Sequence, residues 1–362
     1  MNKIIYLDAA ATYLKSDAVI NAQLDFLNNG YANAGRGVCE RAVHVDEMVE
    51  RARNCVADFI GAESRQVVFT SGTTAGMNMV AQMLKLTDKH TVAVSDLDHH
   101  SARLPFVQSG AGVVVCDLNE SMDVDIAKVP YADVLVITAM PNVIGVPQDV
   151  SAIVSAAKQK NPNVITVVDA AQFVVHNKID VKLWDCDFMC FSGHKIGTDT
   201  GLGILYIKNP DLYAPVVFGG GMVNKVYEDK LILNSAPYVF EAGTLPLTQI
   251  SGVCAAIKNI ENNRPDLNLI KYMYDVIAEN PRIKIISPRD ASVLSFVVDG
   301  MHVLDFGALI GARGVCLRVG NMCASWIHKL LNIDGSIRIS VGAYNTIDEA
   351  KQVIEYIKEI VK

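Results

Sequence analysis

The stretch Asp187-Phe-Met-Cys-Phe-Ser-Gly-His-Lys195 joins a short apolar run to a Ser-Gly-His-Lys turn. The apolar run predicts a buried β-strand, and Lys195 lies just past its end. Burial disfavours a charged ammonium group, so it lowers the pKa of a lysine and makes available the neutral amine that Schiff-base chemistry needs. Lys195 is therefore a candidate reactive residue, although a lysine at a strand end is also a common surface residue.

A second apolar run ends in a carboxylate. It spans Val164-Ile-Thr-Val-Val-Asp169 and continues as Ala-Ala-Gln172. Pyridoxal phosphate requires a lysine that forms a Schiff base and an acidic residue that keeps the pyridine nitrogen protonated. Asp169 and Lys195, each at the end of its own strand, therefore predict a pyridoxal phosphate site.

The composition of the chain argues against several classes of function. Its 362 residues allow one large domain and a smaller one. The formal net charge of −7 gives no electrostatic basis for binding nucleic acid or an anionic membrane. Charged or polar residues interrupt each apolar run before it reaches the length of a membrane span. The apolar stretch before Asp8 is shorter than that of a signal peptide.

The eight cysteines contain no C-x-x-C pair, and several lie within apolar runs. A reduced, buried thiol is the usual state of such a residue. We therefore expect a cytoplasmic protein without a disulfide framework and without a metal site.

Continuous apolar runs alternate with helical patterns from residue 67 to residue 207, which predicts an α/β fold with a large, doubly wound, mostly parallel sheet. Helices are expected at 46–60, 76–86, 150–159, 247–263 and 348–360. The segment 219–246 is rich in Gly, Asn and Pro and predicts a long functional loop. Later runs predict a smaller α+β domain, so we divide the chain into 16–250 and 1–15 with 251–362.

The run Val68-Phe-Thr-Ser-Gly-Thr73-Thr74 predicts a strand, a loop of small residues and the start of a helix. Backbone N–H groups and hydroxyls at such a helix N-terminus favour an anion. A plain Ser/Thr-rich helix cap would look the same. Ser192 and His194, beside Lys195, add a second set of small donors and favour a phosphate site.

His99 and His100 also follow an apolar run, so both could lie at the sheet edge of Lys195. A His-His pair could bind a metal, but no carboxylate or cysteine has a ligand-like spacing to it. A solvated loop, and a ring stacked on the cofactor that also moves a proton, are both compatible with this pair.

Cys323 lies in a Gly-containing loop, Arg318-Val-Gly-Asn-Met-Cys-Ala324, rather than inside a strand. Arg338 follows in an apolar strand, where an arginine needs an anion such as a carboxylate. A loop thiol near a carboxylate-binding arginine and an electron-sink cofactor suggests attack on an amino-acid substrate. An inert, partly exposed thiol is the alternative.

These residues resemble the cysteine desulfurase and selenocysteine lyase group of pyridoxal phosphate enzymes, in the class V aminotransferase family. The matching pieces run along nearly the whole chain. They are Tyr6-Leu-Asp-Ala-Ala-Ala-Thr12, Asn33-Ala-Gly-Arg36-Gly37, Gly72-Thr-Thr, Asp98-His-His100, Pro141-Asn142-Val-Ile-Gly145, Asp169-Ala-Ala-Gln172, Ser192-Gly-His-Lys195, Phe240-Glu-Ala-Gly-Thr244, Arg318-Val-Gly-Asn-Met-Cys-Ala324 and Arg338 with Tyr344-Asn-Thr346.

The resemblance implies a homodimer of pyridoxal phosphate fold type I with active sites at the subunit interface. It makes Lys195 the Schiff-base lysine and Asp169 the partner of the pyridinium nitrogen. Gln172 would contact the phenolic oxygen of the cofactor, and His99 would stack on its ring. The residues implied to hold the phosphate are Thr73, Thr74, Ser192 and His194, with Gly243 and Thr244 from the other subunit.

The resemblance also implies the substrate-binding residues. Asn142 and Arg338 would bind the substrate carboxylate, Arg318 would line the entrance, and Asn33 joins this set. Cys323 would be the nucleophile, and its short R-x-G-x-x-C-A loop resembles that of members that pass sulfur to a partner protein. The chain departs from the family pattern at Asn321-Met322, where members often have His-His, and at Trp326-Ile327 after the Cys-Ala pair.

The function implied is a pyridoxal phosphate-dependent cysteine desulfurase that converts L-cysteine to L-alanine and carries sulfur as a persulfide on Cys323. Selenocysteine lyase, another lyase or an aminotransferase on the same scaffold is one alternative. A non-catalytic scaffold or regulator is another. The sulfur acceptor and the pathway, such as iron–sulfur cluster assembly, stay open at this stage.

Overall fold

The computed structural model describes residues 4–35 and 37–362. Arg36, which is part of one quoted motif, lies outside the described residues.

The strands and helices follow one another in the order expected of an α/β protein. The strands are β1 Ile5–Tyr6, β2 Val67–Thr70, β3 Thr91–Val94, β4 Gly112–Val115, β5 Val134–Thr138, β6 Ile165–Asp169, β7 Phe188–Ser192, β8 Gly203–Ile207, β9 Val223–Val226, β10 Leu231–Leu233, β11 Ile283–Ile285, β12 Val293–Val298, β13 Val315–Cys316, β14 Arg318–Gly320 and β15 Ser336–Ser340. The α-helices are α1 Asp17–Asp25, α2 Glu40–Ile60, α3 Thr73–Met83, α4 His100–Val107, α5 Val150–Lys160, α6 Phe173–His176, α7 Val181–Trp184, α8 Leu247–Ser251, α9 Val253–Asn262, α10 Leu267–Ile277, α11 Val303–Gly311, α12 Ser325–Leu330 and α13 Ile347–Ile360.

A seven-stranded sheet forms the centre of the molecule, in the order β2-β8-β7-β6-β5-β3-β4. The pairs from β4 through β7 are parallel, and β8 runs antiparallel to both of its neighbours, β7 and β2. Every residue of β5, β7 and β8 is buried, which explains why their sequences are continuously apolar. The predicted mostly parallel α/β sheet is confirmed.

Helices cover both faces of this sheet. On one face α3 and α4 bury Met77, Val80 and Phe106 against the strands. On the other face α2, α5 and α9 contribute to a core that includes Val56 and Ile153. This is the doubly wound arrangement expected from strands that alternate with helices.

A second, antiparallel sheet has the order β11-β12-β15-β14, and α10, α11 and α13 share its apolar core. The N-terminal strand β1 pairs with β13, and Asp8 bridges to Ser340, so the first described residues lie with this smaller unit. The division into 16–250 and 1–15 with 251–362 stays a prediction. The packing of α9 on the core of the large sheet favours a boundary after Asn262.

Three helices differ from their predicted extents. Helix α3 spans Thr73–Met83 rather than 76–86. Helix α2 begins at Glu40 rather than residue 46, because Ala42, Val45 and Val49 continue the buried face of the helix. The helix predicted at 247–263 is interrupted at Gly252. A Cβ atom there would lie 3.1 Å from Val19 Cγ1, so the close approach of α1 favours glycine.

The long loop predicted at 219–246 contains the antiparallel hairpin of β9 and β10. The prediction that the chain has no disulfide framework, made from the cysteine spacing, is wrong. Cys55 on α2 is bonded to Cys254 on α9, across a sequence separation of 199 residues. This pair arises from the packing of the two helices, which local spacing does not reveal.

Candidate active site

The carboxyl ends of the central strands bring the predicted site residues to one edge of the sheet. Strand β6 ends at Asp169, and β7 ends at Ser192 before the 3-10 turn Gly193–Lys195. His99 caps the N-terminus of α4 shortly after β3. Because parallel strands present their carboxyl ends at the same edge, the topology itself assembles the site.

A cavity of about 330 Å³ lies at this edge, and we call it the lysine cavity. The predicted residues that line it are Thr73, Thr74, His99, Asn142, Asp169, Gln172, Ser192, His194, Lys195, Arg318, Cys323 and Arg338. Asn33, Gly243 and Thr244 line a separate cavity. The roles of these residues stay predictions, but their grouping in space is an observation.

Small donors cluster at the end of the cavity next to α3. The backbone N–H of Thr73 donates a hydrogen bond of 2.8 Å to Ser192 Oγ, and the two hydroxyl oxygens also lie 2.8 Å apart. Gly72, which precedes the helix, has φ +153°, a conformation that favours glycine. The start of α3 thus presents hydroxyls and a helix N-terminus, which together favour a phosphate group.

Lys195 and Asp169 have pKa values shifted by burial. The Nζ atom of Lys195 donates to the backbone oxygens of Ala10 at 2.7 Å and Ala11 at 3.1 Å. Burial, together with the positive charge of Arg338, lowers the pKa of Lys195 to about 8. Burial raises the pKa of Asp169 to about 6, against the opposing effect of a hydrogen bond from Ala171 N–H. Lys195 therefore supplies neutral amine at mildly alkaline pH.

His99 is held as a neutral imidazole. Its Nδ1 accepts a hydrogen bond from the backbone N–H of Ser101 at 3.2 Å. Burial and the nearby charge of Lys195 lower the pKa of His99 to about 4. The side-chain amide of Gln172 donates a hydrogen bond of 2.7 Å to the backbone oxygen of Ala10. Hydrogen bonds within the protein therefore orient both His99 and Gln172.

Two arginines in the cavity share one carboxylate. Asp8 Oδ2 lies 2.8 Å from Arg318 Nη2, and Asp8 Oδ1 lies 3.2 Å from Arg338 Nη2. Arg338 is buried, and its Nε has no hydrogen-bond partner among the described residues. Asp8 belongs to the motif Tyr6-Leu-Asp-Ala-Ala-Ala-Thr12, but no local pattern predicts its role, since only the fold brings it to the arginines.

Asn142 lies between the arginines and the cysteine loop. Its backbone oxygen accepts a hydrogen bond from Arg338 Nη1 at 3.1 Å. Its side-chain amide donates at 2.9 Å to the backbone oxygen of Met322, next to Cys323. Its Oδ1 is buried and has no partner among the described residues, so it is available to a ligand.

Comparisons with known proteins place this site within a family. A family model for class V aminotransferases matches residues 5–353. The chain belongs to the class V aminotransferase family.

Several relatives of this class V aminotransferase-family chain cover nearly all of it. A protein named probable cysteine desulfurase from Vibrio cholerae is 32% identical, over 99% of this chain and 94% of its own length. The structure of a cysteine desulfurase from Thermococcus onnurineus has a TM-score of 0.94 at 30% identity, covering 99% of this chain and 95% of that one. The structure of the cysteine desulfurase CsdA from Escherichia coli has a TM-score of 0.91 at 30% identity, covering 99% and 96%.

The second cavity of this class V aminotransferase-family chain has a volume of about 610 Å³. Beside Asn33, Gly243 and Thr244 it is lined by a buried ion pair, in which Arg53 Nη1 lies 2.7 Å from Glu241 Oε1. None of its lining residues also lines the lysine cavity. Within one chain, then, Gly243 and Thr244 are not part of the phosphate end described above.

Neither a metal site nor a membrane span is evident in this member of the family. Among residues 4–35 and 37–362, no three His, Cys, Asp or Glu side chains are grouped so that they could hold a metal ion. In the same part of the chain, no helix combines the length and the apolar character needed to cross a membrane.

Proposed function

We propose that this protein is a pyridoxal phosphate-dependent cysteine desulfurase. It would convert L-cysteine to L-alanine and retain the sulfur as a persulfide on Cys323. The observation that carries the proposal is that Cys323 lines the same cavity as Lys195, Asp169 and the arginine pair. The names of the relatives at about 30% identity support the same activity.

The residues of the lysine cavity fit pyridoxal phosphate. Thr73, Thr74, Ser192 and His194 offer donors for a phosphate at one end, and Asp169 offers a carboxylate for the pyridine nitrogen. His99 supplies a neutral ring that would face the cofactor, and Gln172 would contact its phenolic oxygen. When bound, the cofactor supplies an electron sink for the bonds of the substrate Cα.

The arginine pair would bind the substrate carboxylate. Arg338 is buried and already oriented by Asp8 and by the backbone of Asn142. A guanidinium group binds a carboxylate through two parallel hydrogen bonds, which fixes the orientation of the substrate as well as its position. Arg318, about half exposed at 49%, would meet the substrate first. Asp8 would then share the arginines with the incoming carboxylate.

Lys195 would move the proton of the substrate Cα. A pKa of about 8 keeps a useful fraction of the amine neutral, so it can accept a proton and return it later. The backbone oxygens of Ala10 and Ala11 accept hydrogen bonds from Nζ and thereby hold the amine at this place.

Cys323 would take the sulfur. Its thiolate would attack the substrate sulfur, so that an S–S bond forms while the substrate C–S bond breaks, and the three-carbon product would gain protons and leave as alanine. Cys323 is exposed as well as cavity-lining, which lets a persulfide meet an acceptor protein outside. Iron–sulfur cluster assembly is one use that we propose for this sulfur. In the cytoplasm, which we propose as the location, a thiolate of the acceptor would take the outer sulfur and release Cys323 as a thiolate, so the next cycle needs no separate reductant.

We also propose a homodimer. Gly243 and Thr244 lie outside the lysine cavity of their own chain, which suits residues that complete the phosphate site of a second subunit. The nearby hairpin exposes Val226, Leu231 and Ile232, at 71%, 61% and 41%. A group of exposed apolar side chains on one hairpin is typical of a surface that another chain covers.

The proposal is tested by an absorbance spectrum of the purified protein before and after L-cysteine, with alanine, pyruvate and sulfide assayed in the same sample. A shifted cofactor band with alanine supports the desulfurase. Pyruvate, or a reaction that needs a keto acid, would move the assignment to another lyase or an aminotransferase. A protein that binds the cofactor but responds to no amino acid would be a scaffold or regulator.

The Cys323→Ala variant separates the nucleophile from the rest of the site. It should retain the cofactor band and lose persulfide formation, because Lys195 and Asp169 are unchanged. Persulfide or sulfide output equal to that of the unchanged protein would remove Cys323 from the mechanism.

A further inference from the structure

The loop that carries Cys323 has an unusual backbone. Met322 and Cys323 have φ values of +50° and +54°, in the left-handed region that residues with side chains rarely adopt. Two such residues in succession persist only when the surrounding residues hold them in place.

On the side of the cavity, two hydrogen bonds hold the loop. Asn142 Nδ2 donates to the oxygen of Met322 at 2.9 Å, and the backbone N–H of His100 donates to the oxygen of Cys323 at 2.8 Å. Within the loop, Ala324 N–H donates to the oxygen of Asn321 at 2.8 Å. These bonds set the shape of the loop, but none of them involves its exit into α12.

Three side chains stack at that exit. Helix α12 begins at Ser325, so Trp326 lies only three residues after Cys323. The guanidinium carbon of Arg103 lies 4.2 Å from the centre of the Trp326 ring, and the His100 ring meets the same indole edge-on with centroids 5.1 Å apart. His100 Nε2 also lies 3.1 Å from Ser325 Oγ.

Arg103 is itself fixed. It is buried on α4, and its Nη1 lies 2.8 Å from Asp96 Oδ1 and 3.4 Å from the oxygen of Ser95. A buried, ion-paired guanidinium that stacks on an indole is a rigid contact, because neither group can turn without losing a partner.

We propose that Trp326, through its contacts with Arg103 and His100, is a positioning residue that holds the Cys323 loop against the lysine cavity. The catalytic consequence rests on the proposed function: a held loop keeps the thiol near the substrate sulfur, whereas a loose one slows sulfur transfer without changing cofactor binding. The structural part of the proposal, that the stack orders the loop, does not depend on the reaction.

The structural part is tested by hydrogen exchange in the cofactor-free protein at the backbone amides of His100, Ala324 and Ser325, which donate to Cys323 O, Asn321 O and His100 Nε2. We compare the unchanged protein with Trp326→Leu, Arg103→Leu and the double variant. Each single change should speed exchange roughly tenfold, the size expected for loss of one desolvated cation–π contact. The double variant should exchange no faster than Trp326→Leu, because that change already removes the contact between Trp326 and Arg103.

Two milder variants and one control guard against general loss of structure. Trp326→Phe keeps an aromatic face for Arg103 and should recover most of the protection. Arg103→Lys keeps the charge but not the planar group and should recover less. Trp184→Phe removes the other tryptophan, which packs edge-on against Phe173, and should leave the loop unchanged.

The catalytic part is measured in the holoenzyme as alanine formed from L-cysteine, beside the affinity for the cofactor. Trp326→Leu should lower kcat severalfold and leave cofactor affinity unchanged. Unaltered exchange in folded Trp326→Leu, exchange in Trp326→Phe as fast as in Trp326→Leu, or additive effects in the double variant would overturn the proposal. If the unchanged protein forms no alanine, the proposed function fails, while the exchange data still decide whether the stack orders the loop.

Discussion

Asp8 and Arg338 form a buried ion pair, with Asp8 Oδ1 3.2 Å from Arg338 Nη2, and Arg338 lines the lysine cavity. The same carboxylate contacts Arg318, so one internal anion offsets two cations proposed to bind substrate. Burial lowers the pKa of Arg338, and the charge of Asp8 opposes that effect. The pair thus keeps a charged guanidinium in the interior, available to the carboxylate of the proposed substrate.

Replacement of Asp8 is expected to destabilise the protein. Asp8→Asn leaves Arg338 buried without its partner charge, which costs about 3–5 kcal/mol of unfolding free energy for a broken buried pair. Denaturant unfolding measures the loss. Asp211→Asn, in an exposed pair with Arg65, is the matched control and should cost about 1 kcal/mol or less. Equal effects of the two changes would contradict the role of Asp8.

The reaction of cofactor-free protein with pyridoxal phosphate is expected to speed up with pH. Burial lowers the pKa of Lys195 from 10.5 to about 8, so the neutral amine accumulates as pH rises through 8. Stopped-flow absorbance from pH 6 to pH 10 measures the rate, and Lys195→Ala is the control. A rise centred near pH 10.5 would mean that the lysine is not perturbed.

The same shift predicts the sign of a stability change. Because the folded protein releases the Lys195 proton at lower pH than the unfolded chain does, it binds fewer protons between pH 8 and 10.5. The contribution of Lys195 to the unfolding free energy therefore rises with pH across this window. At pH 8 the Lys195→Met protein should be more stable than the unchanged protein, because it carries no buried ammonium group. This advantage in unfolding free energy should shrink as the pH increases to 10.5.

Reduction of the bond between Cys55 and Cys254 is expected to lower the thermal midpoint. The bond closes a chain segment of 199 residues. Loop-closure entropy gives an upper limit of about 5 kcal/mol for a loop of this size. Calorimetry with and without reductant measures the change, and Cys39→Ser, at an exposed free thiol, should behave like the unchanged protein. A midpoint that does not respond to reductant would contradict the structural role of this bond.

The proposed dimer predicts complementation between two defective variants. Lys195→Ala removes the lysine of a site, and Thr244→Ala removes a residue offered to the partner's site. After an equal mixture has exchanged subunits, half of the dimers contain one subunit of each variant. Each of these mixed dimers has one intact site out of two, so the mixture should regain about a quarter of the full activity. No recovery in mixed dimers, verified by sedimentation, would show that Thr244 acts within its own chain.

The exposed hairpin gives a second test of the dimer. Leu231→Asp places a charge on the apolar surface of β10 and should shift the protein towards the monomer. Sedimentation velocity measures the shift, with Leu183→Asp on α7 as a control at a similarly exposed leucine, 70% against 61%. If the Leu231→Asp protein remains fully dimeric, the dimer interface lies elsewhere on the surface.

Much of the site could be predicted because strand ends are visible in the sequence. Asp169 and Lys195 each end a continuously apolar run, and parallel pairing brings such ends together without further information. The helix start at Thr73 and the loop cysteine, Cys323, are likewise local features. Each of these residues lies in the cavity where its neighbours were expected.

Other features depend on contacts between distant segments. Asp8 meets Arg338 only because the N-terminal strand joins the smaller sheet, and a lone carboxylate near the start of a chain carries no signal of that. The family resemblance implies that Asn142 binds the substrate carboxylate, but its hydrogen bond to the Met322 backbone is a partner that no residue pattern specifies. Cys55 and Cys254 belong to helices that pack only in the complete fold.

The hydrogen bond from His100 N–H to the Cys323 oxygen links two parts of the site through a single contact. His100 directly follows His99, the residue proposed to face the cofactor, so one short segment serves both the cofactor ring and the thiol loop. Since the loop is held by protein contacts, loss of the cofactor should leave Cys323 at its place, exposed and open to oxidation in air. A preparation that has lost its colour should therefore regain its sulfur chemistry on addition of the cofactor, provided that air was excluded during storage.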